Sequence, residues 1–311
     1  MWKLVSTFVL LLGQAVAAQP DLARHEFTEV HMGMPVRVVL HAGSDSVARA
    51  AARAAFRRIA ELDNTFSDYR PQSEVRRMEA RSGEWVAVSA DLFHLIGRAV
   101  EVARLTDGAF DPTVAPIVAL WREARRTSVL PRQAQLDSAR ARVGWRRIAL
   151  DTAGRAVKLD RGMRLDFGGI AKGYILDQAR AALKAGGVDA MLIEAGGDIV
   201  VGAAPPGAHG WKIEAPGASA AFAAQLQAVT HAAVSTSGPT VQFVEIDGIR
   251  YSHVVDPRTG MALTNGVLIY VRAKDPTLAD AIATALTVTG TFDLVRRFPS
   301  VVADVVAVPP E

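Results

Sequence analysis

The chain has 311 residues, 50% hydrophobic and 22% charged, with no cysteine. That balance supplies a large core and excludes a disordered chain; the missing thiols exclude disulfides, Cys-ligated zinc, iron–sulfur clusters and a thiol nucleophile. A formal charge of +3, with basic residues spread along the chain, gives no nucleic-acid stripe.

Residues 1–18, MWKLVSTFVLLLGQAVAA, place one lysine before an apolar stretch and reach Ala15-Val16-Ala17, small at both cleavage-determining positions. This is the plan of a secretory signal peptide cut near Ala18 or Gln19; without a lipobox cysteine it predicts an exported, periplasmic protein. The apolar part is too short for a permanent membrane span, and nothing later approaches that length. Residues 25–41 alternate and carry Val36 and Val38, which predicts a strand. A helix over 46–63 would bury Ala55, Ile59 and Leu62, and a polar loop follows over 64–73. Ser89 is placed to cap a helix running to about 105, ended by Thr106-Asp107-Gly108. Helices are predicted over 113–125 and 132–143, then a hairpin from 145–150 and 156–159.

Beyond residue 165, glycine-rich turns alternate with short strands at 191–194, 199–202, 211–215, 225–231, 241–246, 268–272 and 301–306. Helices interrupt at 170–185, closed by Gly186-Gly187, and at 278–288. Helices early and strands late argue for α+β rather than a repeating βαβ wheel. Residues 19–311 read as a single domain whose character shifts near 150–165.

The chain has no GxGxxG and no GxxxxGK[ST]. Glu29 stands where HExxH needs its second histidine, and GxSxG is absent. Three constellations remain. In LDFGGIAKGY (165–174) an acid, two glycines and a helix start come together with Lys172. Such a helix N-terminus can hold an anion, and Lys172 adds a point charge suited to phosphate; the plainer reading is a strand-to-helix turn with an exposed lysine. In SHVVDPRTG (252–260) His253 precedes an Asp-Pro turn and could serve as a general base, or be a strand histidine beside a turn. In DPTLADAIATAL (275–286) Asp275 and Pro276 open a helix with a Leu278, Ile282, Leu286 core stripe. Asp280 and Thr284 lie one turn apart on another face, where carboxylate and hydroxyl suit a hard cation or form a solvated polar face. Tyr69 in its polar loop and Phe110 at a helix start are further aromatics; Phe110 could meet a flat ring or belong to the core.

In order and content these segments resemble the FAD:protein FMN transferases, the ApbE-like flavin transferases. The resemblance runs from Met32-Gly33 to the helix of Asp280 and Thr284, with FSDYRPQSEV (66–75), GAFDPTV (108–114) and AGGD (195–198) supporting the three longer motifs. It implies an α+β fold of mixed, largely antiparallel sheets flanked by helices. It implies that Met32, Tyr69, Ala109, Phe110, Asp111, Asp166, Lys172 and Val255 line an FAD site, with Tyr69 against the flavin. It also implies that Asp280, Thr284 and the Gly169 carbonyl hold Mg²⁺, and that His253 is the base near the pyrophosphate. Such enzymes move FMN from FAD to a Thr or Ser hydroxyl of an acceptor protein and release AMP. The alternatives are FAD hydrolysis to FMN and AMP, and a flavin carrier without chemistry.

The sequence departs from the family pattern at three places. Met34 replaces a usual Thr, Glu194 a usual Asn, and Gly238-Pro239-Thr240 a usual acidic and Tyr pair.

Overall fold

The first alternating run is two strands rather than the one expected, β1 (Ala23–His31) and β2 (Met34–Ala42). They pair antiparallel through Met32 and Gly33, at φ 53° and 75°. Two left-handed residues in succession are what a two-residue hairpin turn requires. The period-two pattern continues through both arms, so periodicity does not see the turn. The computed structural model describes residues 22–238 and 243–307; the signal-like segment at 1–18 lies outside them, as do Pro239 and Thr240.

Ser44 caps helix α1 (Asp45–Phe66), accepting a hydrogen bond from the Val47 N–H. There follow α2 (Glu74–Glu79), β3 (Val86–Ala87), α3 (Ala90–Leu105, capped by Ser89), α4 (Ala115–Thr127) and α5 (Gln133–Arg140). Then come β4 (Ala149–Asp151), β5 (Ala156–Lys158) and α6 (Ala171–Ala185). The second half adds β6 (Met191–Ala195), β7 (Asp198–Val201), α7 (Ala220–Gln225), β8 (Ala232–Ser237), β9 (Phe243–Ile246) and β10 (Ile249–Ser252). It ends with β11 (Val267–Ala273), α8 (Pro276–Thr289) and β12 (Val302–Ala307).

Seven strands form the main sheet in the order β1-β2-β6-β7-β8-β11-β12, and every pairing in it is antiparallel. With the helices this is the expected α+β class. Alternation sorts the strands onto two buried faces. Val36, Val38, Leu40, Ile193 and Val271 join the main core under α1, α6 and α8. Val39, Leu192 and Val201 point the other way, against Ile213, Phe222, Leu226 and Val229.

The segment that covers this second face corrects two expected strands. Residues 211–215 contribute only an isolated bridge from Trp211 to Val229. The strand expected over 225–231 is absent: Gln225 ends a helix capped by Ser219, Val229 makes only that bridge, and the strand starts at 232, as β8. Alanine-rich sequence carries no alternation to read, and Phe222, Leu226 and Val229 are spaced to lie on a sheet rather than to join it.

A third cluster packs α4 and α5 on the β9–β10 hairpin through Ile117, Trp121, Ala139, Tyr251 and Val255. Trp121 is buried, and its indole N–H donates to the Gly260 carbonyl at 2.9 Å. Among the described residues no helix is long and apolar enough to cross a membrane.

Candidate active site

Two glycines let α6 and α8 approach closely. A Cβ on Gly169 would come within 2.6 Å of Thr284 Oγ1. A Cβ on Gly173 would fall against the Pro276 carbonyl oxygen and 3.0 Å from Asp280 Cβ. The bare backbone therefore admits Asp280, whose Oδ2 accepts the Gly173 N–H at 3.0 Å. Asp280 and Thr284 thus share the face of α8 that meets the N-terminus of α6, as their spacing predicts. The chain entering α6 is fixed from two sides: buried Glu79 accepts the Leu165 N–H at 2.6 Å, and the Asp166 N–H donates to the Pro112 carbonyl at 2.8 Å.

This contact yields a prediction. Gly173→Ala should push the helices apart, costing about 2 kcal/mol of stability and about 100-fold in the turnover of any reaction at this site, because an ångström of misplacement suffices for that loss. Gly97→Ala is the control. Gly97 lies within α3 with nothing inside 4 Å of a Cβ, so alanine there should stabilise by roughly 0.5–1 kcal/mol and leave turnover unchanged. Thermal melts and turnover rates of both variants check the pair.

Lys172, in the first turn of α6, reaches back between two carboxylates. Its Nζ donates to Asp198 Oδ2 and lies 3.8 Å from Asp280 Oδ1. The Thr236 N–H fixes Asp198 Oδ1 at 3.1 Å. Burial alone would lower the lysine's pKa, but Asp198 and then Asp280 hold it above its ordinary value. Burial pushes Asp280 up to about 7; Lys172 opposes the rise and Asp198 adds to it. Two enclosed carboxylates face one ammonium, which leaves one negative charge to be met by a proton or a cation.

A second charged group sits beside this one. Arg122 of α4 pairs with Asp68 and, at 3.1 Å, with Asp166. Asp166 also accepts the Gly168 N–H at 2.7 Å. Burial and the neighbouring Asp68 raise the Asp166 pKa, against the pull of Arg122. The Arg122 guanidinium lies over the Tyr69 ring, 4.3 Å from its centre. Tyr69 is 74% exposed, so the other face of the ring is open to a planar ligand.

The remaining expected residues are carried by other elements. Ala109, Phe110 and Asp111 are buried, Phe110 within the main core. The Asp111 carboxylate accepts from the Thr113 N–H and hydroxyl and from the Trp145 N–H, so it organises its own loop. That segment has backbone rather than side chains to offer a ligand. Met32 forms the β1–β2 turn and packs on the main core, while Val255 belongs to the third cluster. His253 is half-buried directly after β10. Glu194 forms a cross-strand ion pair with Arg37, and Met34 lies over Gly196. Asp68, Arg122, Asp198 and Thr236 are members to which sequence reading gave no role; Asp68 lay within FSDYRPQSEV and Asp198 within AGGD.

The donor set at α6–α8 suits a hard cation: a buried carboxylate, a hydroxyl and a glycine carbonyl, all oxygen. Among the described residues no group of three or more His, Cys, Asp or Glu could hold a metal by themselves. A cation here would therefore take further oxygens from water or from a phosphorylated ligand, and the Lys172 ammonium lies beside the same place.

Comparison with known proteins bears on the family. The profile of the ApbE family matches residues 32–303. An FAD:protein FMN transferase of Vibrio cholerae is 32% identical over 241 residues, covering 75% of this chain and 72% of that protein. One from Treponema pallidum is 32% identical over 273 residues, covering 81% and 75%. The structure superposes on the apo form of the flavinyl transferase ApbE of Pseudomonas stutzeri with TM-score 0.80, at 26% identity and 92% coverage of each chain. The ApbE protein of Thermotoga maritima gives TM-score 0.79 at 30% identity, covering 90% of this chain and 93% of that one.

Proposed function

The chain belongs to the ApbE family, and from that premise we propose that it is an FAD:protein FMN transferase, Mg²⁺-dependent, acting on a Thr or Ser hydroxyl and releasing AMP. The observation that carries this reading is the convergence of Asp280 and Thr284 on α8 with Gly169 and Lys172 at the start of α6. A carrier would bind flavin without needing an enclosed oxygen set beside a lysine ammonium.

In this reading Tyr69, Asp166, Met32, Val255 and the backbone of 109–111 hold the FAD, and Lys172 meets its pyrophosphate. The acceptor hydroxyl attacks the flavin-side phosphorus; the bond from that phosphorus to the bridging oxygen breaks, and AMP leaves with that oxygen. His253 takes the hydroxyl proton, the role of a positioned general base. Asp280, Thr284 and the Gly169 carbonyl would hold Mg²⁺, which when bound neutralises pyrophosphate and leaving-group charge. Positioning and charge do most of the work in such a transfer. The signal-like segment at 1–18 supports placing this reaction in the periplasm.

The test is incubation of the purified protein with FAD, Mg²⁺ and a candidate acceptor protein. A covalent flavin adduct with AMP is the expected result. FMN and AMP without an adduct would replace transfer by hydrolysis, and intact FAD with a competent acceptor would leave only a carrier.

A further inference from the structure

Asp198 is 1% exposed and takes no part in the reaction as set out above. It opens β7 after a tight turn in which Gly196 and Gly197 have φ of 54° and 88° and Ala195 pairs with Asp198. The neighbouring strand locks it: the Thr236 N–H donates to its Oδ1 at 3.1 Å, and the Thr236 hydroxyl donates to the Gly197 carbonyl at 2.9 Å. Its Oδ2 holds Lys172. Asp280 Oδ1 is 3.8 Å from the same ammonium, within a small swing of the lysine's four-carbon stem.

We propose that Asp198 is a positioning residue that keeps the Lys172 ammonium off Asp280, so that Asp280 can take a divalent cation. The proposal rests on the reading of Asp280 as a cation ligand. A lysine free to settle on Asp280 would be an internal competitor for the metal. It would neutralise the carboxylate and crowd Oδ1, the oxygen that Gly173 leaves open. Asp198 prevents this because it is the fixed partner. It is clamped to a sheet strand, while Lys172 is flexible and must have a counter-charge wherever it is enclosed. With Lys172 satisfied by Asp198, the surplus negative charge resides on Asp280, beside Thr284.

The experiment measures Mn²⁺ binding to the full protein by electron paramagnetic resonance of the free ion, with no FAD present. Asp198→Asn should weaken Mn²⁺ about tenfold or more, the usual consequence of disturbing a ligand's supporting partner. Lys172→Gln should bind Mn²⁺ at least as tightly as the unaltered protein. The double variant Lys172→Gln/Asp198→Asn should return to within about threefold of Lys172→Gln, because the competitor is gone. A merely structural role for Asp198 would not be reversed by removing the lysine. Asp198→Asn within twofold of the unaltered protein, a double variant as weak as Asp198→Asn, or a Lys172→Gln that binds more weakly would each overturn the proposal. Should Asp198→Asn fail to fold, the Lys172→Gln measurement still decides. Asp280→Ala separates the two ideas: if it leaves Mn²⁺ binding intact, the ligand assignment itself is wrong, whatever Asp198 does.

Discussion

Asp280→Ala is expected to lower Mg²⁺-dependent FMN transfer by about 10³-fold or more, the scale of losing a metal that contributes several kcal/mol of charge stabilisation to the transition state. Folding should survive. The substitution removes an enclosed carboxylate whose burial pushes its pKa up, and it leaves Lys172 paired one-to-one with Asp198. The Gly173 N–H loses its acceptor, which costs about 1–3 kcal/mol for a buried donor and is partly recovered by relief of the carboxylate's desolvation. AMP release measured across a Mg²⁺ titration, alongside a thermal melt, separates lost chemistry from lost structure. Transfer that remains Mg²⁺-dependent at the original rate would remove Asp280 from the metal site.

The meeting of Gly169 with Asp280 and Thr284 was legible through the family resemblance, while the local motifs alone left a strand-to-helix turn and a solvated polar face open. Glycines at 169 and 173 and an Asp and Thr four apart on a helix lie within short motifs, and each restricts what can lie opposite. The Ser89 cap needs no knowledge of the rest of the chain. Where the expectation failed, tertiary context decided. The 220–225 helix exists because Phe222 and Leu226 cover the second face of a sheet whose strands lie far away in sequence. The β1–β2 turn placed a methionine at positive φ, which no composition rule favours.

The charged pairs of the site were illegible for the same reason. Arg122 sits in a helix whose sequence looks like any surface helix, yet it ties Asp68 to Asp166 across more than forty residues on either side. Asp198 shows only as the acid of AGGD, and its partner Lys172 comes from a different motif. Pairing between segments is set by which strands share the sheet, and β2 lies beside β6 and β8 beside β11, strands far apart in the chain. One sequence shows which residues carry charge; the topology determines which charges meet.

His253→Ala is expected to slow transfer about 10³-fold, within the range that a positioned general base contributes, while changing FAD affinity by less than about threefold. The backbone around this residue is held on both sides. The Val254 N–H donates to the Ser252 hydroxyl at 3.1 Å, the Ser252 N–H to the Leu263 carbonyl at 2.8 Å, and the Leu263 N–H to the Val254 carbonyl at 3.0 Å. Behind them Tyr251 packs against Trp121, so the imidazole is carried by a rigid unit. A base that acts only on the acceptor hydroxyl affects turnover and leaves the ground-state complex with FAD intact. Its loss should therefore appear in kcat with FAD binding preserved. Equal losses in kcat and in FAD affinity would make His253 a pyrophosphate-binding residue, and the acceptor's proton would then leave by way of water or of Asp166, the next enclosed carboxylate in the same site.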